Sequence, residues 1–276
     1  VTFAIDTEAE SALRDFLHQH APEVAFFSED QGLFVPSTNH GARPQHLLVV
    51  DPVDGTRPAV CGLESCCVSV ACAPFSHEVS MADVSVACVV EIPTATVFVA
   101  ERGGGLLEAP RVGMSVNERL ERMFWTYGFR GRPARATCEV LGDLIDISSV
   151  GGATFDLGSA TYDMTRILTG QLDAYVEPGP LLVDQIPGMR AEFERVGGGR
   201  VLNNSPYDLA GATLLLQEAG AIVTDARGGS LAQRPLLGSG ADYQMSCVAA
   251  ANRPLHEAIL ASLDSGLSKL HTLVTN

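Results

Sequence analysis

The sequence predicts an α/β protein, and three observations carry that expectation. A helix-period segment opens the chain, a block of short β-branched runs extends from Ser65 to Ala109, and helical and extended segments alternate from Pro133 onward. At 276 residues, the chain suits one large domain or two closely packed ones, given roughly 100–200 residues per domain. Apolar residues make up 46% of it, the profile of a compact globular protein.

Each element has a local cause. Ala9, Ala12, Leu13, Phe16 and Leu17 recur at helical spacing behind Thr7, a good N-cap residue, and Pro22 closes the segment, so a helix is expected over about residues 7–20. Val24 to Phe27 is a short apolar run that stops at Ser28-Glu29-Asp30, and Leu47 to Val50 is another that stops at Asp51. Both read as buried strands whose C-terminal ends deliver carboxylates. Cys66–Ala73, Asp83–Glu91, Thr96–Glu101 and Gly105–Glu108 are candidate strands of a largely antiparallel sheet. Gly103-Gly104-Gly105 reads as a hairpin turn, because no helix opens after it as a nucleotide loop requires.

Helical spacing returns over Pro133–Asp146 and Phe155–Leu168, and Leu172–Val176 resembles a strand. Gly197-Gly198-Gly199 and Asn203-Asn204-Ser205-Pro206 mark a loop. Leu209, Ala212, Leu215, Leu216 and Ala219 then give a helix up to Gly220, with Asp208 in its first turn. Extended segments at Ala221–Thr224 and Tyr243–Ala250 and a last helix over about residues 254–263 complete the alternation. A boundary near residue 130 divides the chain into an N-terminal half, 1–130, with the acidic motifs, and a C-terminal half, 131–276, with Asp208.

Composition excludes several function classes. The formal net charge of -15, with no compensating run of Lys and Arg, argues against nucleic acid and anionic lipid as partners. An acidic protein that handles an anionic substrate needs local positive charge, and bound metal ions supply it. Lys269 is the only lysine, which weighs against a P-loop or Schiff-base lysine in the body of the chain. Seven cysteines (61, 66, 67, 72, 88, 138 and 247) lack a C-x-x-C pair and read as small buried thiols in a reducing compartment. The histidines show no H-E-x-x-H spacing, and no G-x-S-x-G elbow occurs. No apolar run approaches the roughly 20 residues of a membrane span, and the start lacks the basic and apolar regions of a signal peptide. A soluble, cytoplasmic protein is expected.

Asp51-Pro52-Val53-Asp54-Gly55-Thr56 carries the chemistry. Two hard carboxylates leave a strand on a tight turn, Pro52 holds that turn, and Gly55 lets backbone approach a ligand closely. Mg²⁺ typically takes one or two carboxylates and leaves its other positions to water and phosphate. A helix beginning after Gly55 would offer free N–H groups to the same phosphate. Taken alone the hexapeptide is also compatible with an ordinary solvated Asp-Gly turn. Glu29, Asp30, Asp6 and Asp208 stand at similar junctions, although a first-turn Asp is more often a capping residue than a ligand.

Together these stretches resemble the inositol monophosphatase and fructose-1,6-bisphosphatase superfamily of lithium-sensitive, magnesium-dependent phosphatases. The hexapeptide resembles its signature; Val1-Thr2 with Asp6 resembles its V-T-x-x-D segment, and Ser28-Glu29-Asp30 its G-E-E segment. Val99 to Gly105 resembles its hairpin, Gly158-Ser159-Ala160 through Asp173-Ala174-Tyr175-Val176-Glu177 its G-S-A…D-A-Y-x-E block, and Tyr207 to Ala212 with Glu218-Ala219-Gly220 its W-D-x-A-A-G…E-A-G block. The chain differs in Ser28 and Asp30 for Gly and Glu, in Tyr207 for Trp, and in a stretch from Gly179 to Ser205 longer than the usual link.

The resemblance implies alternating layers, αβαβα, with the active site between the two halves. It implies metal ligation by Glu29, Asp51, Asp54, Asp208 and the Val53 carbonyl, holding two or three Mg²⁺ ions, with Mn²⁺ as an alternative. Asp6 and Thr56 would orient the attacking water, with Glu29 beside them among the catalytic groups. The Gly55 and Thr56 N–H groups would hold the phosphate, Gly158, Ser159, Ala160 and Glu177 would line the pocket for the alcohol or sugar, and Asp54 and Asp208 would also contact the substrate. The implied substrate is a small phosphorylated metabolite, an inositol phosphate, sugar phosphate or fructose bisphosphate, and a homodimer follows by family analogy. Two other enzymes of this type, a nucleotide 3′-phosphatase and a histidinol-phosphate phosphatase, are alternatives; so is a non-catalytic paralogue acting as a binding or assembly module.

Overall fold

The computed structural model describes residues 4–36, 44–110 and 112–275. Helix α1 (Ala4–His20) precedes β1 (Ala25–Ser28), β2 (Gly32–Phe34) and β3 (His46–Asp54). The short helix α2 (Thr56–Cys61) leads to β4 (Cys67–Pro74), β5 (Val86–Glu91), β6 (Val97–Glu101) and β7 (Gly105–Glu108). These strands form one sheet in the order β2-β1-β3-β4-β5-β6-β7, antiparallel except where β1 runs parallel to β3.

The rest of the chain alternates β8 (Phe124–Thr126), α3 (Ala134–Ser148), β9 (Ala153–Phe155), α4 (Ala160–Leu168) and β10 (Ala174–Glu177). Then come α5 (Gly179–Gln185), α6 (Met189–Val196), α7 (Pro206–Glu218), β11 (Ile222–Thr224), β12 (Cys247–Ala250) and α8 (Arg253–Thr275). The second sheet has the order β11-β12-β10-β8-β9, with β9, β8 and β10 parallel.

The layers follow from which side chains are apolar. Along β4, Cys67, Ser69, Ala71 and Ala73 are buried while the residues between them are half-buried or exposed, the alternation of a strand with one fully covered face. Helix α7 is apolar all round and buries Leu209, Ala210, Ala212, Leu214, Leu215 and Leu216, as a helix covered on both sides must. It packs with α4 between the sheets, in a core that joins Val49, Val89 and Phe98 of the first sheet to Tyr175, Cys247 and Ala249 of the second. On the far side of the second sheet, Trp125, Ala174, Val176 and Val248 meet Val140 and Leu144 of α3, Ile259 and Leu263 of α8, and Leu182 and Phe193 of α5 and α6. Helix α1 lies on β3 of the first sheet. The order is αβαβα, as the resemblance implied.

Several elements differ from the sequence expectation. The helix placed over Phe155–Leu168 is strand β9 followed by α4; Gly158 at φ +85° and the Ser159 cap, whose Oγ accepts from the Tyr162 N–H, separate them. The strand placed at Asp83 begins only at Val86, because Met81–Asp83 is a 3₁₀ turn closed by a Ser80–Asp83 capping box. Residues 241–243 are likewise 3₁₀, so β12 is shorter than expected, whereas α8 runs on to Thr275. The stretch expected to be a link, 179–205, forms α5 and α6, broken at Gly188 with φ +79°. Among the cysteines, Cys66, Cys67 and Cys247 are buried, but Cys61 and Cys138 are exposed, because both lie on the outer faces of helices; all seven are free. The Val1-Thr2 part of the first motif lies outside the described residues.

Candidate active site

Strand β3 ends in the acidic turn. The Asp51 carboxylate accepts the Val53 N–H at 3.0 Å, and the Thr56 hydroxyl donates to the Val53 carbonyl at 3.2 Å, so two short-range bonds fix the hexapeptide. Gly55 sits at φ +90°, where a Cβ would overlap the Ser65 carbonyl oxygen, and α2 begins at the next residue. Only glycine fits both the backbone angle and the close approach.

The other half of the chain reaches this turn through the N-termini of α4 and α7. Asp54 accepts from the Ser159 hydroxyl at 2.8 Å and the Thr161 N–H at 2.7 Å, and the Thr161 hydroxyl donates to the Asp208 carbonyl at 2.7 Å. Asp208 belongs to a capping box, in which it accepts the Ser205 N–H at 2.6 Å. It is therefore a capping residue and a site carboxylate together. Asp51, Asp54 and Asp208 each offer an oxygen within 4.8 Å of the others.

Their electrostatics match that crowding. Burial and then the neighbouring carboxylates push Asp51 well above the usual carboxylate range. Burial also raises Asp54, against the hydrogen bonds from Thr161 and Ser159. Asp208 is pushed up to about 8, by burial first and by Asp54 next. Glu29, accessible at the cleft edge, is raised by partial loss of water and by Asp30, Asp6 and Asp54, with Arg130 opposing. Three carboxylates held this close without a cation repel one another. An all-oxygen acidic donor set suits a hard divalent cation, so the residues fit the metal that the resemblance implies.

A cleft of about 210 Å³ opens beside them. Glu29, Asp54, Gly158, Ser159, Ala160 and Asp208 line it. Asp6, in the first turn of α1, is close enough to Glu29 to raise its pKa. Glu177 does not line the cleft: it is buried, paired with Arg132, and accepts the Gly179 N–H at 2.7 Å. Arg130, Arg132, Arg200 and Asn203 line the cleft and were not anticipated. The Arg130-Gly131-Arg132 triplet between a strand and a helix was the one available signal for the first two. Glu218, part of the last motif, accepts the N–H groups of Gly103 and Gly105 at 2.9 and 3.0 Å and so ties α7 to the β6–β7 hairpin.

Fold and site define a layered α/β protein that gathers carboxylates from both halves of the chain beneath a polar cleft. A sequence model of the inositol monophosphatase family matches residues 1–268, and the chain belongs to that family, a family of phosphatases. It is 27% identical over 270 residues to a fructose-1,6-bisphosphatase/inositol-1-monophosphatase of Methanothermobacter thermautotrophicus, covering 95% of this chain and 83% of that protein. It is also 27% identical over 228 residues to a Nus factor SuhB of Vibrio cholerae, covering 82% and 72%. Among solved structures, a suhB protein of Bartonella henselae superimposes with a TM-score of 0.69 at 21% identity, over 96% of this chain and 86% of that one. A Thermotoga maritima IMPase does so with a TM-score of 0.67 at 19% identity, over 98% and 85%. Among the described residues no helix is long and apolar enough to cross a membrane.

Proposed function

We propose that this protein is a Mg²⁺-dependent, Li⁺-sensitive phosphatase that hydrolyses a small phosphate monoester of a sugar, inositol or similar alcohol. The convergence of Asp51, Asp54 and Asp208 within 4.8 Å, each with a raised pKa, carries the reading. Such an arrangement is unfavourable on its own and favourable around a divalent cation. These carboxylates, with Glu29 and the Val53 carbonyl, would hold the metal, which supplies positive charge to the phosphoryl oxygens and to the departing alkoxide. The Thr56 hydroxyl and the Asp6 carboxylate orient the attacking water, with Glu29 beside them. The Gly55 and Thr56 N–H groups meet the phosphate at the start of α2, and Gly158, Ser159 and Ala160 position the leaving group in the cleft.

Adenine recognition, which a nucleotide 3′-phosphatase needs, finds no support from Trp125. The indole is fully buried and donates to the Ser148 hydroxyl at 2.9 Å, so it offers no face for stacking. The test is phosphate release from sugar, inositol and nucleotide monophosphates with Mg²⁺, with Mn²⁺, with chelator and with added Li⁺. Release that requires the cation and falls with Li⁺ is expected; no release from folded protein across the panel would favour a non-catalytic binding module.

A further inference from the structure

A second cavity lies apart from the carboxylate cluster, and much of its lining comes from the segment that lengthens this chain, 179–205. It measures about 180 Å³. Asp184 of α5, Arg190 of α6 and Asn203 of the loop before α7 line it, together with Arg234, Asp242 and Gln244 from the loop between β11 and β12. Val201, Asn203 and Gln244 also line the cleft, so the two spaces adjoin, but they have no carboxylate in common. A smaller cavity of about 130 Å³ shares Asp184, Arg234 and Gln244 and adds the apolar side chains of Leu181, Leu231 and Met245.

The buried part of this lining carries polar atoms that the protein leaves unsatisfied. Gln244 is only 7% exposed; its amide nitrogen donates to the Val201 carbonyl at 2.8 Å, while its Oε1 is buried with no donor. Both amide atoms of Asn203 are buried without a partner, and its Oδ1 lies against Gly179, where a Cβ would come within 2.3 Å of it. Arg234 donates from Nη2 to the Gln244 carbonyl at 2.8 Å, yet its Nε is buried and unpaired. Asp184, Arg190 and Asp242 form the exposed part, and among the described residues none of the three makes an ion pair or a side-chain hydrogen bond. Solvent can satisfy those exposed charges. The unsatisfied atoms of Gln244, Asn203 and Arg234, gathered on one cavity, call instead for a ligand or ordered water.

The charges define what fits. Asp184 and Asp242 disfavour a simple anion, Arg190 and Arg234 disfavour a simple cation, and a neutral sugar leaves all four charges unmatched. A small molecule that carries both signs answers both pairs. A guanidinium only donates and matches a carboxylate, whereas carboxylates and amide oxygens accept from an ammonium group. We propose that this cavity binds a free α-amino acid. Its carboxylate is received by the Arg234 Nε, the Asn203 amide nitrogen and Arg190; its ammonium group is received by the Gln244 Oε1, the Asn203 Oδ1 and the carboxylates of Asp184 and Asp242. The side chain extends toward Leu181, Leu231 and Met245 of the smaller cavity. Such a site is separate from the acidic cluster, and binding there does not depend on the phosphatase reading.

The experiment is titration calorimetry of the full chain with L-leucine, glycine and L-glutamate, in Mg²⁺ and in EDTA. Isovalerate and isopentylamine, which keep the leucine skeleton but carry one charge each, are titrated alongside. At least one amino acid is expected to bind, with and without Mg²⁺, and each single-charge analogue should bind about tenfold more weakly or less, the loss of one charge-assisted hydrogen bond. Asp184→Asn/Asp242→Asn changes only exposed side chains and keeps their shape, so a folded protein that binds the amino acid about tenfold more weakly is expected. Arg234→Lys keeps the charge but removes Nε, and should weaken binding as well; if circular dichroism shows that it fails to fold, the aspartate variant decides. No binding of any of the three amino acids leaves the cavity to water and overturns the proposal. So does binding of a single-charge analogue as tight as that of leucine, or an affinity that the aspartate variant does not move. Binding that vanishes in EDTA marks an amino acid chelating the metal in the cleft and overturns it too.

Discussion

Asp54→Asn separates the cost of the acidic cluster from its use. The Asp54 carboxylate accepts from Ser159 and Thr161, and an asparagine carbonyl can accept the same two bonds, so the fold should persist. What the substitution removes is charge. At the 4.8 Å limit of the cluster, two full charges repel by about 3.5 kcal/mol at an effective dielectric of about 20. Asp54 takes part in two such pairs, with Asp51 and with Asp208. The raised pKa values show that proton uptake already relieves much of this, so a net gain of about 1–3 kcal/mol is expected for the metal-free variant near pH 8. For a chain of this size that is a rise in Tm of about 3–10 °C.

The sign with pH follows from the direction of the shifts. Carboxyl groups whose folded pKa values lie above the ordinary ones contribute stability that is present below pH about 4. It is lost as pH rises through the folded values, up to about 8 for Asp208. The stabilisation by Asp54→Asn should therefore fade as pH falls and the raised carboxyl groups take up protons, Asp208 first among them below about 8. Millimolar Mg²⁺ should reverse the ranking at pH 8, raising the wild-type Tm more than that of the variant, while the variant releases no phosphate. Thermal unfolding followed by circular dichroism in EDTA and in Mg²⁺ reads all of this. A variant that melts below wild type in EDTA at pH 8, or that retains turnover, refutes the argument.

Gly55→Ala should cost about 2–4 kcal/mol and abolish activity, measured by urea unfolding and phosphate release, because a Cβ at φ +90° meets the Ser65 carbonyl oxygen. Glu177→Gln leaves Arg132 buried without a counter-charge, so a loss of about 3–5 kcal/mol is expected from the same unfolding assay. With a thiol reagent, Cys61 and Cys138 should react rapidly, Cys72 and Cys88 more slowly, and Cys66, Cys67 and Cys247 only after unfolding; mass spectrometry of quenched samples checks the order.

The acidic turn was legible because its signals are local: an apolar run long enough to be a buried strand, two aspartates at its exit, a proline and a glycine at fixed offsets. Asp208 was legible as a first-turn residue but not as both a cap and a member of the cluster, since a capping box and a ligand site have the same local sequence. Helix α7 was legible for its spacing, and its all-round apolarity records that it lies between two sheets. The segment 179–205 was not, because α5 and α6 are short and draw their stability from packing Leu182 and Phe193 into the second core.

By itself the sequence determined the α/β alternation, the antiparallel first sheet, the strand-exit carboxylates and, through ordered motifs, the family. Tertiary structure alone decided that Glu177 faces Arg132 and not the cleft, and that Arg130, Arg200 and Asn203 stand in its wall. The physical reason is separation along the chain. Strand exits and helix caps are set by neighbouring residues, whereas the partner of a buried charge such as Glu177 is chosen by the packing of loops distant in sequence.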